Sequence, residues 1–140
     1  MTHSYLVERA AKWLRGTHRC NPVLAEHKCF ATSESPDAFG VNSDGSIVVE
    51  CKVSVADFYA DQRKQFRKNP EMGMGRVRYY LTPKDLINKD RLTLAPGWGL
   101  AEVRGSRIRV IRESDIFQQC SNAECLLMRS AWLWGRGFVK

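Results

Sequence analysis

The chain is predicted to be an α/β protein: a central mixed β-sheet flanked by helices, with a β-hairpin and a helix at its C-terminal end. Three observations predict this. The apolar period changes from two over residues 47–53 to about 3.6 from Ser54 onward, so a strand runs directly into a helix. The Asn42-Ser43-Asp44-Gly45-Ser46 cluster, a strong hairpin signal, precedes the most strand-like run of the chain. Finally, 140 residues with 44% hydrophobic content and a net charge of +7 suit one soluble domain over 1–140 with one core. Collagen-like, coiled-coil and disordered classes do not fit this composition.

The elements follow in order. Over residues 4–14, Leu6, Val7, Ala10, Ala11, Trp13 and Leu14 fall at helical spacings, with Thr2 or Ser4 as N-cap and Gly16 past the end. Glu8 lies at the border of that apolar stripe, either solvated or looking along the core edge. After Asn21-Pro22, residues 23–31 read as a strand, 33–36 as a turn, and 37–41 as a short apolar run behind an acid. From Ser54, Val55, Phe58, Tyr59, Gln62 and Phe66 share one face, which predicts a helix to about Lys68, capped by Ser54 with Asp57 three residues on. Asn69-Pro70 ends it. A strand over 76–81, a short helix over 84–88, a hairpin from 98–103 to 108–111 and a helix over 115–134 complete the chain.

No apolar run reaches the roughly 18 residues of a membrane span, and the first residues are polar and charged, so neither a span nor a secretory signal is expected. A cytoplasmic location follows as an expectation. Cys20, Cys29, Cys51, Cys120 and Cys125 are odd in number and lack CxxC spacing, which suits reduced thiols better than disulfides or zinc. The +7 charge favours a polyanionic partner, nucleic acid ahead of an anionic membrane surface.

The chemistry concentrates in the third strand. Glu50 and Lys52 are two apart and project from one face of the sheet, while Cys51 points away. The turn near Asp44 folds the preceding strand back so that the partner of Glu50 lies near Ala38, one residue from Asp37. Two adjacent carboxylates repel unless a cation lies between them, and a hard divalent ion, Mg2+ or Mn2+, is the usual solution, with the Cys51 carbonyl as a further donor. With Lys52 alongside, the set matches the needs of phosphodiester hydrolysis. The alternative is a solvated patch of strand-end acids balanced by Lys52 and nearby arginines.

Pro36-Asp37, followed thirteen positions later by Glu50-Cys51-Lys52, resembles the signature of the PD-(D/E)XK nuclease superfamily. The element order over residues 4–82 resembles the family core. The resemblance implies a restriction-endonuclease-like fold and Mg2+-dependent nucleic-acid cleavage. Asp37 and Glu50 would be metal ligands and Lys52 the catalytic lysine, with Glu8 joining from the first helix as in several branches. The Ser54, Asp57, Asp61 and Lys64 pattern and Arg78-Tyr79-Tyr80-Leu81-Thr82-Pro83 look like small bacterial and phage members, which implies a prokaryotic or phage setting.

Other candidates are weaker. Glu26 is an auxiliary acid or an exposed strand residue facing Lys28, and Gln62 and Gln65 touch the site or are polar surface. His3, His18 and His27 are scattered and do not mark a general base. Arg63, Lys64, Arg67 and Lys68 on the helix, with Arg76 and Arg78 on the next strand, form either a solvated face or a nucleic-acid-binding track. Arg129, Arg136 and Lys140 near Trp132, Trp134 and Phe138 extend that track if the rings stack on bases, although such tryptophans more often bury. The reading is a metal-dependent nuclease acting on DNA, structure-selective because a minimal core leaves few loops to read bases; RNA stays open as a substrate. Alternatives are a homodimer that resolves Holliday junctions, a non-catalytic nucleic-acid-binding or regulatory protein on the same fold, and an interaction module marked by a large apolar patch.

Overall fold

The computed structural model describes residues 1–28, 34–118, 122–134 and 139. Six strands form one sheet in the order β1-β2-β3-β4-β5-β6. They are β1 (Val23–Ala25), β2 (Ala38–Asn42), β3 (Gly45–Cys51), β4 (Val77–Pro83), β5 (Gly99–Arg104) and β6 (Arg107–Arg112). The pairings β1/β2, β2/β3 and β5/β6 are antiparallel, whereas β3/β4 and β4/β5 are parallel, so the sheet is mixed. Helices α1 (His3–Gly16), α2 (Val55–Asp61), α3 (Gln65–Lys68) and α4 (Asn122–Trp134) flank it. The predicted α/β class, with its C-terminal hairpin and helix, is the observed one, although the helix expected over 115–134 is observed over Asn122–Trp134 and residues 115–118 are not helical.

The Thr2 hydroxyl caps α1 by accepting from Tyr5 N at 3.1 Å. The helix buries its stripe from Leu6 to Leu14 against one face of the sheet, where Ile47, Val49 and Cys51 of β3 and Val103 of β5 meet it. On the opposite face, Leu24, Phe39, Val48, Tyr80 and Leu100 pack under Phe58 of α2 and Leu127 and Ala131 of α4. Both faces of β3 are therefore covered, which explains its continuous apolar run rather than an alternating one. Glu50 and Lys52, of the same parity as Val48, point to the α2 side.

The β2/β3 turn is fixed by Asn42, whose Oδ1 accepts from Asp44 N at 2.9 Å and Gly45 N at 3.2 Å, with Gly45 at φ 141°. That turn pairs Ala38 with Val49, and one further step sets Asp37 opposite Glu50. At the other end of the sheet, Glu124 Oε1 of α4 accepts from Ser46 Oγ at 2.5 Å and Gly75 N at 2.7 Å, tying α4 to the starts of β3 and β4.

Several sequence expectations are corrected. β1 ends at Ala25, and residues 29–33 lie outside the described chain. The single helix expected over 54–68 is broken at 62–64 into α2 and α3, with Lys64 in extended backbone. Burial is the cause: Asp61 and Arg67 both turn inward and meet, and on an unbroken helix residues six apart lie about 120° apart around the axis. The helix expected over 84–88 is replaced by a turn and one 3-10 turn at Lys89–Arg91. On α4, Trp132 and Leu133 are 78% and 68% exposed, contrary to the expectation that Trp132 buries. Cys20 and Cys51 are buried thiols and Cys125 is exposed, while Cys29, Cys120, Arg136, Phe138 and Lys140 and the side chain of Trp134 lie outside what is described. Among the described residues no helix is long and apolar enough to cross a membrane.

Candidate active site

A cleft of about 660 Å³ opens at the C-terminal end of β3. Its floor is Asp37, Glu50 and Lys52, and its walls include His3, Asp61 and Lys64. Asp37 stands just before β2, and its Oδ2 accepts from Cys51 N at 2.8 Å, which locks the carboxylate against the strand carrying Glu50. The Cys51 thiol is buried on the α1 side and pushed well up by burial and by Asp37, so this residue offers the cleft only main-chain atoms. Lys52 Nζ stands 3.9 Å from Glu50 Oε2 and 3.4 Å from Asp61 Oδ1, with the lysine side chain 14% exposed.

Beneath the cleft lies a buried ionic cluster. The Arg67 guanidinium bonds Glu34 Oε2, donates from Nε to Asp61 Oδ2 at 2.7 Å, and lies 3.4 Å from Glu50 Oε1. It lies over the Trp98 ring at 4.2 Å and the Phe66 ring at 4.7 Å. Tyr80 donates its hydroxyl to Asp61 Oδ2 at 2.7 Å. Burial alone raises a carboxyl, yet Arg67, the Tyr80 hydroxyl and Lys52 outweigh it at Asp61 and hold that acid well below the usual carboxylate range. Glu50 goes the other way: burial and the neighbouring Asp37 push it well above the usual range despite Arg67. Glu34 is raised as well, by burial against the pull of Arg67.

The other sequence candidates separate. Glu8 is exposed and pairs with Lys12 at 3.2 Å along α1; it does not line the cleft, which faces the first turn of the helix, about 7.5 Å back along the axis. His3 occupies that place, with Nε2 3.4 Å from Asp37 Oδ2 and Nδ1 3.5 Å from Glu26 Oε1, so Glu26 reaches the rim through the imidazole. Gln62 turns away to the Thr93 carbonyl at 3.0 Å. The expected nucleic-acid-binding track is corrected at two positions: Arg67 and Arg78 are each 1% exposed. Arg67 is taken by three acids, and Arg78 by the Gly75 and Pro70 carbonyls and the Phe117 ring at 3.8 Å. Arg63, Lys64 and Lys68 remain exposed and Arg76 half-buried. Sequence reasoning missed His3 and the roles of Asp61 and Glu34. Asp61 carried a signal, since it lies three residues after Phe58 on the apolar stripe.

The residues present fit a hard divalent cation. Glu50 and Asp37 are two close carboxylates, one of them raised by the other, and a 2+ charge between them removes that repulsion. Among the described residues no group of three or more His, Cys, Asp or Glu side chains is placed to hold a metal ion by itself. Two carboxylates and main-chain carbonyl oxygen are donors of the kind that a hard ion such as Mg2+ takes.

No family model matches the chain, and no curated protein matches it. A solved structure of a protein of unknown function from Silicibacter pomeroyi is similar, with a TM-score of 0.68 and 19% identity, covering 96% of this chain and 87% of that one. At that identity the likeness shows the fold alone: an α/β arrangement with a mixed sheet flanked by helices.

Proposed function

We propose that the chain is a metal-dependent nuclease of the PD-(D/E)XK type that hydrolyses phosphodiester bonds in DNA, acting as a structure-selective endonuclease. The observation that carries this reading is the Cys51 N–H bond to Asp37 Oδ2, which fixes Asp37 beside Glu50 on the floor of a cleft that Lys52 shares. Asp37, Glu50 and the Cys51 carbonyl would hold Mg2+ or Mn2+. When bound, the ion supplies a polarised phosphoryl oxygen and a water of lowered pKa. The chain's own part is to keep the two carboxylates preorganised and to hold the Lys52 ammonium where charge gathers on the phosphoryl oxygens. Lys64 on the cleft wall and Arg63 and Lys68 beyond it are the exposed cations nearest in sequence to receive flanking phosphates.

The test is cleavage of a labelled panel of duplex, single strand, flap, four-way junction and RNA, with Mg2+ or Mn2+. Metal-dependent cutting should fall by about 10³ or more in Asp37→Asn and Lys52→Ala. Paired nicks in the junction would point to two copies acting together. If nothing is cut while salt-sensitive binding persists in both variants, the chain is a binding protein.

A further inference from the structure

We propose that Asp61 is the positioning residue for Lys52, so that the proposed site consists of the motif on β2 and β3 together with an acid delivered by α2. The inference rests on the nuclease reading for its functional meaning, but its geometry stands independently. Asp61 has a side chain with 0% exposure and divides its two oxygens between two tasks. Oδ2 accepts two hydrogen bonds from the scaffold, from Arg67 Nε and the Tyr80 hydroxyl, both at 2.7 Å. Oδ1 is buried, accepts no hydrogen bond, and faces two ammonium groups at ionic distance, Lys52 at 3.4 Å and Lys64 at 3.0 Å. The carboxylate is thus bolted on one side and turned toward the lysines on the other.

Glu50 is the other acid near Lys52, and it is the poorer anchor. Its Oε2 is 3.9 Å from the ammonium, and its carboxylate is also the one that faces Asp37. A lysine held by Glu50 would compete with any cation between the two floor acids. A lysine held by Asp61 does not compete in this way. The same oxygen draws Lys64, whose side chain is 50% exposed, back over the cleft wall. Two ammonium groups then meet at one oxygen at the cleft, beside the floor carboxylates, where charge on a bound phosphodiester could be answered. Lys64 lies three residues after Asp61, a spacing that brings two side chains together on a helix, and the break at 62–64 lets Arg67 come in from below as well.

Asp61→Asn is the discriminating substitution, because an amide keeps an oxygen for Arg67 and Tyr80 and turns an NH2 toward the lysines. The readout is acylation of each lysine in the metal-free full chain by limiting acetic anhydride, followed by peptide mass spectrometry, with exposed Lys84 as internal reference. Loss of the anchor should free the Lys52 side chain from its ion pair and speed its acylation about tenfold in Asp61→Asn. Glu50→Gln should change it less. An unchanged Lys52 rate in Asp61→Asn, or a larger effect from Glu50→Gln, overturns the proposal. Should Asp61→Asn fail to melt cooperatively, Tyr80→Phe decides: removing one of the two bonds that fix Oδ2, while keeping the charge, should loosen the anchor and speed Lys52 acylation about threefold, and no change overturns the proposal. In cleavage assays Asp61→Asn should lower kcat about a hundredfold with KM within about threefold, and Asp61→Glu should restore part of it. The acylation arm needs neither metal nor DNA. A wild-type chain that cuts nothing therefore sinks the nuclease reading, while the Lys52 rates still decide whether Asp61 holds the ammonium.

Discussion

Two glutamates stand on strands of the same sheet, Glu50 on β3 and Glu102 on β5, and both are buried, at 5% and 0% exposure. Glu102 is matched: Arg104 Nη2 donates to Oε2 at 2.9 Å, Lys89 Nζ lies 3.4 Å from Oε1, and Asp85 N donates to Oε1 at 3.3 Å. Both of its cationic partners reach solvent, at 28% and 39% side-chain exposure. Glu50 has no such balance. Its guanidinium partner is shared with Glu34 and Asp61, its ammonium neighbour leans toward Asp61, and Asp37 faces it across the hairpin. A buried acid whose charge is answered locally is part of the scaffold. One whose cations are shared with other acids, and whose carboxyl is pushed up by burial and a facing acid at a cleft, is where the proposed cation would act, and that contrast sets the candidate site apart from ordinary structure.

The largest expected effect breaks the comparison on function. Glu50→Gln should lower metal-dependent cleavage by about 10³, whereas Glu102→Gln should leave the rate within about twofold. The same pair reverses in stability. Glu102→Gln should cost about 2 kcal/mol in chemical denaturation, because two cations lose their counter-charge and one of the two oxygens becomes an NH2, and equal rate losses in both variants would erase the distinction.

A pH series sharpens the contrast. In chelator, Glu50 and Glu34, both raised in the fold, favour folding only while protonated. Their contribution is complete below the unfolded value of about 4.3 and is lost as pH rises through their folded values. Asp61, held low in the fold, has the opposite sign: its contribution is present above about 3.9 and is lost as pH falls. Melting in chelator should therefore weaken on raising the pH from about 4.3, and Glu50→Gln or millimolar Mg2+ should flatten that slope. A slope unchanged by both would place the excess charge elsewhere. The smallest effect concerns the outer cations: Arg63→Glu with Lys68→Glu should reduce the salt dependence of DNA binding by a slope of about 2 without altering the melting temperature.

Much of the site was legible because a hairpin has only one free parameter. Once Asn42 to Ser46 marked the turn, pairing followed by counting, and Asp37, Glu50 and Lys52 came together within a residue of the expected register. The basic residues were not legible in the same way. Arg67 and Arg78 fall at surface-like spacings, and nothing local announces that Glu34, thirty-three positions before Arg67, comes to meet it. A helix read by period alone also hides its own break, since the inward pull on Asp61 and Arg67 comes from β3 and β4 rather than from the helix sequence. Glu8 was placed by helical phase, but reaching the cleft depends on distance along the axis, and there His3 has the advantage.

The outer strand β6 has a consequence for assembly. Its exposed Arg107, Arg109 and Arg112 put three like charges within six residues along the free edge of the sheet. A second copy aligning its own β6 there, strand against strand, would bring six guanidinium groups together before a single ladder bond formed. That edge is a self-repelling seam, so two copies gain no continuous sheet by pairing their β6 strands.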